Sequence, residues 1–164
     1  MLDDHPATTF PAAVIDAYAQ RELTLLDLQR VSPTSTVVVF ELAGEPLHML
    51  IDDTAPSSLV LERGERYRLV GPDAVACGFA LANELHERLL HVRFVFEHDD
   101  DSVALVRVRF TAPLLGADLP RACRDAFDVG VDALWHAASR WEDGLTAIGC
   151  GDPSERAATL TVGA

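Results

Sequence analysis

Hydrophobic and polar residues alternate along two neighbouring segments of the chain, His91 to Glu97 and Val103 to Phe110. A period of two is typical of a strand that buries one face. The segment between them, His98-Asp99-Asp100-Asp101-Ser102, is polar, so the two strands are predicted to form a β-hairpin. Its buried face is expected to combine three residues of each strand: Val92, Phe94 and Phe96 with Val106, Val108 and Phe110.

The same alternation predicts three earlier strands, at Leu23 to Val31, Thr36 to Leu42 and Leu47 to Asp52. Turn-forming residues separate them, so they are expected to form an antiparallel meander. Ser58 to Val70 is also strand-like, but a glycine interrupts it. Both one bulged strand and two short strands hinged at Arg63-Gly64-Glu65 fit this segment.

Apolar residues recur at intervals of three and four in three further segments, which predicts three helices. The first is short, beginning at Thr8 or Thr9 and ending near Arg21. The second begins at Gly71-Pro72-Asp73, and the third begins at Asp118. The apolar stripe of the second helix holds Val75, Phe79, Ala82, Leu85 and Leu89. That of the third helix holds Leu119, Cys123, Phe127, Val131, Leu134, Ala138 and Trp141.

Together these elements predict one α+β domain, in which an antiparallel β-sheet, made of a meander plus a hairpin, packs against helices in the order α-β-β-β-α-β-β-α. A chain of 164 residues with 49% hydrophobic side chains is long enough to bury one core. The predicted domain covers residues 1–142. Residues 143–164 are rich in glycine, alanine and threonine and are interpreted as a C-terminal tail, with Ala158 to Val162 at most a peripheral strand.

The charge of the chain narrows the classes of partner. A formal net charge of −13 disfavours nucleic acid and anionic membrane, because both would be repelled before specific contacts form. No apolar run approaches the roughly 20 residues of a membrane span, and the acidic N-terminus differs from a secretory signal. The three cysteines show no paired spacing, which favours reduced thiols. A cytoplasmic protein is therefore expected.

Candidate chemistry is sparse in this sequence. All thirteen cationic side chains are arginine, so a Schiff-base lysine and a Walker-type phosphate loop are excluded. His86 and His91 stand five residues apart, whereas two zinc ligands on one helix face stand four apart. Cys150 lies between two glycines with no cationic neighbour that would lower its pKa. We therefore expect no catalytic residue, metal or cofactor, and an enzyme of unrecognised type is the alternative of a different class.

Five arginines are predicted to share the sheet face opposite the core, and we call them the arginine strip: Arg66, Arg68, Arg93, Arg107 and Arg109. One interpretation is that they cover apolar surface and pair across strands with Glu62, Glu65 and Glu97. The other is that they anchor an acidic partner or ligand. Trp135 and Trp141 on the last helix form a second candidate partner surface, with core packing as the other interpretation of Trp141.

Three local segments carry a resemblance to a known family: Leu81-Ala82-Asn83-Glu84-Leu85 late in the second helix, Val92-Arg93-Phe94 in the hairpin, and Asp118-Leu119 opening a final helix that ends in Trp141. In this order of elements, from residue 9 to residue 142, the chain resembles the YbjN-like proteins and the type III secretion chaperone-like fold to which they belong. The resemblance implies a non-enzymatic, often dimeric protein that binds other proteins, with a regulatory or chaperone-like role. It implies no catalytic residues.

A class I type III secretion chaperone is the alternative to a YbjN-like protein within the class of protein-binding proteins. Such a chaperone would hold an unfolded segment of an effector protein. A homodimer is expected in either case, because the two longer helices carry more apolar and aromatic positions than one small sheet face can cover.

Overall fold

A computed structural model of the chain describes residues 24–52, 58–100, 103–114, 119–149 and 156–157. These residues form an α+β fold in which a curled antiparallel sheet is covered by two helices. The predicted first helix, from Thr8 or Thr9 to Arg21, lies outside the described residues, as do Cys150 and the segment Ala158 to Val162.

The predicted meander is present at the start of the described chain. It comprises β1 (Thr24–Ser32), β2 (Ser35–Leu42) and β3 (Glu45–Asp52), each antiparallel to the next. Ala43 and Gly44 form the two-residue turn between β2 and β3, with φ of 54° and 82°. Two positive φ angles match the right-handed twist of a hairpin, which explains the glycine at this turn.

The segment Ser58 to Val70 forms two strands, β4 (Ser58–Arg63) and β5 (Arg66–Val70). The chain bends at Gly64, whose N–H donates to the carbonyl of Pro46 at 2.8 Å. A Cβ atom at this position would lie 2.5 Å from Cγ of Pro46, so only glycine allows this approach. Of the two alternatives that the sequence leaves open, the structure shows two strands with a hinge.

The remaining elements are α1 (Pro72–Arg88), β6 (Val92–Asp100), β7 (Val103–Pro113), α2 (Leu119–Ala147) and the short β8 (Arg156–Ala157). Strand β7 is central. It pairs with β6 along one edge, and with both β4 and β5 along the other. The order β1-β2-β3-β4 continues into β7, and β8 pairs with the outer edge of β5. Within the described chain, no helix is long and apolar enough to cross a membrane.

Both helices pack on one face of the sheet, and the core lies between them and the strands. The predicted buried face of the hairpin is confirmed, since Val92 and Phe94 of β6 are buried together with their register partners Phe110 and Val108. Val106 is also buried, and its partner Phe96 packs against the core. The largest fully buried side chains come from both layers: Trp141, Phe40, Phe110, Leu47, Met49, Leu59, Leu61, Leu69, Leu134, Val38 and Val92.

Three predicted features need correction. Five strands precede α1 rather than three, because the meander is followed by the divided segment β4 and β5. Phe79 is 39% exposed at the edge of the α1 stripe, where its ring stacks on Phe96 instead of entering the core. The last helix does not end at Trp141, since α2 continues to Ala147, Leu145 is buried, and Gly144 accommodates the side chain of Leu81 from α1.

Candidate functional site

The arginine strip lies on the sheet face opposite the helices, as its position in the alternating pattern predicts. On β5, Arg66 and Arg68 flank Tyr67, which points into the core. On the hairpin, Arg93 stands opposite Arg109, while Arg107 occupies the same face two residues away. The strip therefore spans three neighbouring strands, β5, β7 and β6.

Two glutamates hold three of these arginines in a connected set of ion pairs, which we call the charge network: Glu62, Glu97, Arg66, Arg107 and Arg109. Glu62 accepts hydrogen bonds from Arg107 at 3.0 Å and from Arg109. Glu97 accepts from Arg107, and its Oε2 lies 3.4 Å from Nη1 of Arg66. The four pairs join β4, β5, β6 and β7 across the face of the sheet.

Burial makes the charge network different from an ordinary surface ion pair. Glu62 is only 2% exposed, while the side chains of Arg107 and Arg109 are 18% and 33% exposed. Removing one member of such a set leaves its partner charged, poorly solvated and unpaired, so the network holds the arginines in fixed positions. The cross-strand interpretation of the strip is thus observed for Glu62 and Glu97. Glu65 instead pairs with Arg63.

His48 extends this buried polar region onto β3. It stands directly opposite Glu62 in the register and is 7% exposed. Burial lowers its pKa below the usual value, Glu62 acts in the opposite direction, and the positive charges of Arg66 and Arg107 lower the pKa further. A neutral imidazole at this position adds no positive charge to the face.

Arg68 and Arg93 differ from the other three arginines of the strip. Both are exposed, and among the side chains that the structure describes, no carboxylate lies within ion-pair distance of either one. Arg93 donates to the carbonyl of Val92 at 2.8 Å. Arg68 pairs with Leu105 of β7 and Arg93 pairs with Arg109 of β7, so the two partners stand four residues apart. Arg68 and Arg93 lie on opposite sides of β7. On a flat sheet their backbones would therefore be about 16 Å apart.

The two tryptophans predicted as a partner surface have different environments. Trp141 is fully buried, with its ring stacked on that of Phe94 at 4.7 Å. A side chain with no exposed surface cannot contact a partner, so the prediction for Trp141 as a binding residue is corrected to core packing. Trp135 is half-buried, and the guanidinium of Arg63 lies 5.2 Å from its ring centroid.

Arg63 belongs to a polar cluster that the sequence did not point out. It is 5% exposed, and it donates to Glu45, to Glu65 and, at 3.3 Å, to the hydroxyl of Tyr67. That hydroxyl donates to Glu142 of α2 at 2.9 Å. Burial is the main cause of a raised pKa at Tyr67, so the hydroxyl stays protonated as this bond requires. The cluster connects the hinge of the sheet to α2.

Other candidate groups are already engaged. Nε2 of His86 accepts the backbone N–H of Phe94 at 2.9 Å, and burial lowers the pKa of this imidazole. Cys123 is buried, which raises its pKa to about 11 and leaves the thiol protonated. The feature best suited to recognition is therefore the arginine strip, with its fixed positive charges on an acidic protein.

Comparisons of the chain with known protein families, with curated proteins and with solved structures find no match.

Proposed function

We propose that this chain is a non-enzymatic, cytoplasmic protein-binding domain of YbjN type with a regulatory or chaperone-like role, and that the arginine strip anchors an acidic segment of its protein partner. The observation that carries the proposal is the pair Arg68 and Arg93, exposed at the two ends of the strip without a carboxylate partner among the side chains that the structure describes. The charge network between them supplies a rigid support.

The charge of the surface favours an acidic partner. The strip holds five arginines against the two glutamates of the charge network, on a protein whose formal net charge is −13. A cationic patch on an anionic molecule directs approaching carboxylates to one place, because they are repelled elsewhere. Two carboxylate groups about 16 Å apart on an extended segment of about five residues would reach Arg68 and Arg93 together.

The finer fold assignment is part of the same proposal. A type III secretion chaperone-like fold is supported by an antiparallel sheet with α1 and α2 against one face and with the hairpin following α1. The arginine strip lies on the other face of the sheet. A class I secretion chaperone is the alternative within this proposal, and a partner encoded beside this chain would favour it.

The test removes the two arginines that pair with no carboxylate among the described side chains, and it leaves the charge network intact. A variant with Arg68→Gln and Arg93→Gln is expected to fold like the wild type, because both side chains are exposed. In a pulldown from native lysate it should recover less of the partner that the wild type captures. The deficit should shrink at about 1 M salt, where the Debye length falls to about 3 Å and such contacts are screened.

The matched control is the double variant Arg121→Gln and Arg124→Gln, which removes the same charge from the exposed side of α2. It should capture the partner as the wild type does. Equal recovery by the wild type and by the Arg68 and Arg93 variant, at both low and high salt, would contradict the proposal. An equal deficit in both double variants would show that only the overall charge matters.

A further inference from the structure

The described strands of the sheet end at three edges, β1, β6 and the two-residue β8, and the two long edges, β6 and β1, differ. At the β6 edge, α1 lies against the strand, and the outward N–H of Phe94 is satisfied by Nε2 of His86 at 2.9 Å. An added strand would have to displace this imidazole, whose ring also stacks on the ring of Phe94. The β6 edge is therefore closed to strand addition near its middle.

Among the described residues, the β1 edge is open, since no strand pairs with its outer side. Three apolar side chains of this strand are more than half exposed: Leu26 at 51%, Leu28 at 51% and Val31 at 55%. Exposed apolar residues along an unpaired edge are the usual mark of a strand that pairs with another chain.

The hydrogen bonds of β1 show which backbone groups are directed outward. The N–H of Leu28 donates to Oδ1 of Asp27 at 2.8 Å. Leu42 and Glu45 flank the two-residue turn of the β2–β3 hairpin, so alternation directs the N–H of Val38 toward β3, and Leu28, its partner on β1, directs its N–H outward. Because donors alternate in direction along a strand, the outward groups of the regular part of β1 belong to Leu28 and Arg30. An incoming strand could replace the Asp27 carboxylate at Leu28 by a backbone carbonyl.

We infer that β1 is the site at which two copies of this chain associate, with their β1 strands antiparallel and a two-fold axis at Leu28. In this register Leu28 of one copy faces Leu28 of the other, and each donates its N–H to the other's carbonyl. The two leucine side chains then cover one another on the same face of the joined sheet. An eight-stranded sheet would become continuous across the dimer.

The neighbouring side chains suit this symmetric pairing. One residue away from the axis, Asp27 of each copy stands opposite Gln29 of the other copy. Within one chain the amide of Gln29 already donates to Asp27, so the four side chains have matched donors and acceptors. Arg30 faces Leu26 of the other copy, where a bulge in β1 begins, and no like charges stand opposite one another.

Charge also favours this edge over the rest of the surface. Two molecules with a formal net charge of −13 repel one another in solution. The segment Thr24–Ser32 carries one acidic and one basic residue, Asp27 and Arg30, and is therefore neutral. Two copies can approach along β1 with less repulsion than along an acidic surface. This inference is independent of the proposed acidic partner, because no arginine of the strip lies on β1.

Light scattering coupled to size exclusion at micromolar protein concentration tests the inference. The wild type should have a mass of about 36 kDa, twice the 17.8 kDa of one chain. Leu28→Lys places two like charges opposite one another at the axis and should give a monomer of about 18 kDa. The matched control is Val129→Lys, on α2, because Val129 is 60% exposed and away from β1, and it should remain dimeric.

A cross-linking variant keeps the test decisive if Leu28→Lys fails to fold. Opposed residues of a hydrogen-bonded antiparallel pair have Cα atoms about 5.5 Å apart, which a disulfide can span. Leu28→Cys should therefore form a covalent dimer under mild oxidation, whereas Val129→Cys should not. A monomeric wild type, a dimer that persists in folded Leu28→Lys, or Leu28→Cys that cross-links no faster than Val129→Cys would each overturn the inference.

Discussion

The charge network makes a quantitative prediction about Glu62, which is 2% exposed and lies between Arg107 and Arg109. Glu62→Gln preserves the shape of the side chain and one acceptor oxygen, but it removes the negative charge. It also turns an N–H donor group toward arginines that are themselves donors only. Both arginines then remain partly buried with less compensation for their charge.

The size of the effect follows from burial. Removing one partner of a fully buried ion pair costs about 3–5 kcal/mol. The arginine side chains here retain 18% and 33% of their exposure, so water and salt recover part of that loss. We expect Glu62→Gln to lower the free energy of unfolding by about 2 kcal/mol. For a domain of this length, that corresponds to a fall in Tm of about 4–8 °C.

Urea unfolding is the suitable measurement, because guanidinium is ionic and would screen the charges under study. The matched control is Glu84→Gln, which removes the same charge from an exposed pair. Glu84 lies 2.9 Å from Arg88 one helical turn away, with side-chain exposures of 55% and 70%. Its loss should cost no more than about 0.5 kcal/mol. A cost for Glu62→Gln no greater than that of the control would refute the burial of Glu62 between two arginines.

Two further predictions concern the core and pH. Phe94→Ala should lower the free energy of unfolding by about 3–5 kcal/mol, because its ring is buried against Trp141; a loss below about 1 kcal/mol in urea would show that the ring does not fill the core. Burial lowers the pKa of His48 and His86 in the folded protein below 6.5. Below about pH 6.5 the unfolded chain therefore binds more protons than the folded protein does. The free energy of unfolding should decrease as the pH falls from about 6.5 toward the folded pKa values. Urea midpoints between pH 7.5 and 5.5 measure this loss, which should be smaller in His86→Gln; an unchanged slope in that variant would contradict the contribution of His86.

Much of the sheet was predictable because strand alternation is a local property of the backbone. Each residue points opposite to its neighbour, so the pattern of β6 and β7 alone placed Phe94 and Val108 on the buried face and Arg93 and Arg107 on the other. The same logic predicted the shared face of the arginine strip. A single glycine, Gly64, marked the hinge that divides the segment from Ser58 to Val70.

The end of α2 and the environment of Trp141 could not be predicted from the sequence, because both depend on how α2 packs against the rest of the fold. Composition after Gly144 indicates a tail, yet α2 continues because Gly144 lies against Leu81 and Leu145 enters the core. Similarly, Trp141 is of a residue type that is common at interfaces, but in the fold its ring is stacked on that of Phe94. Such contacts join residues that are distant along the chain, so no local pattern contains them.

The sequence by itself determined the alternating faces, the turns and the acidic charge, since these depend on neighbouring residues and on composition. Only the tertiary structure decided which charges are neutralised. It brings Glu62 of β4 between Arg107 and Arg109 of β7, and it leaves Arg68 and Arg93 exposed. The physical reason is that pairing of a charge depends on distance and burial, and both are set by strand register across the sheet rather than by position along the chain.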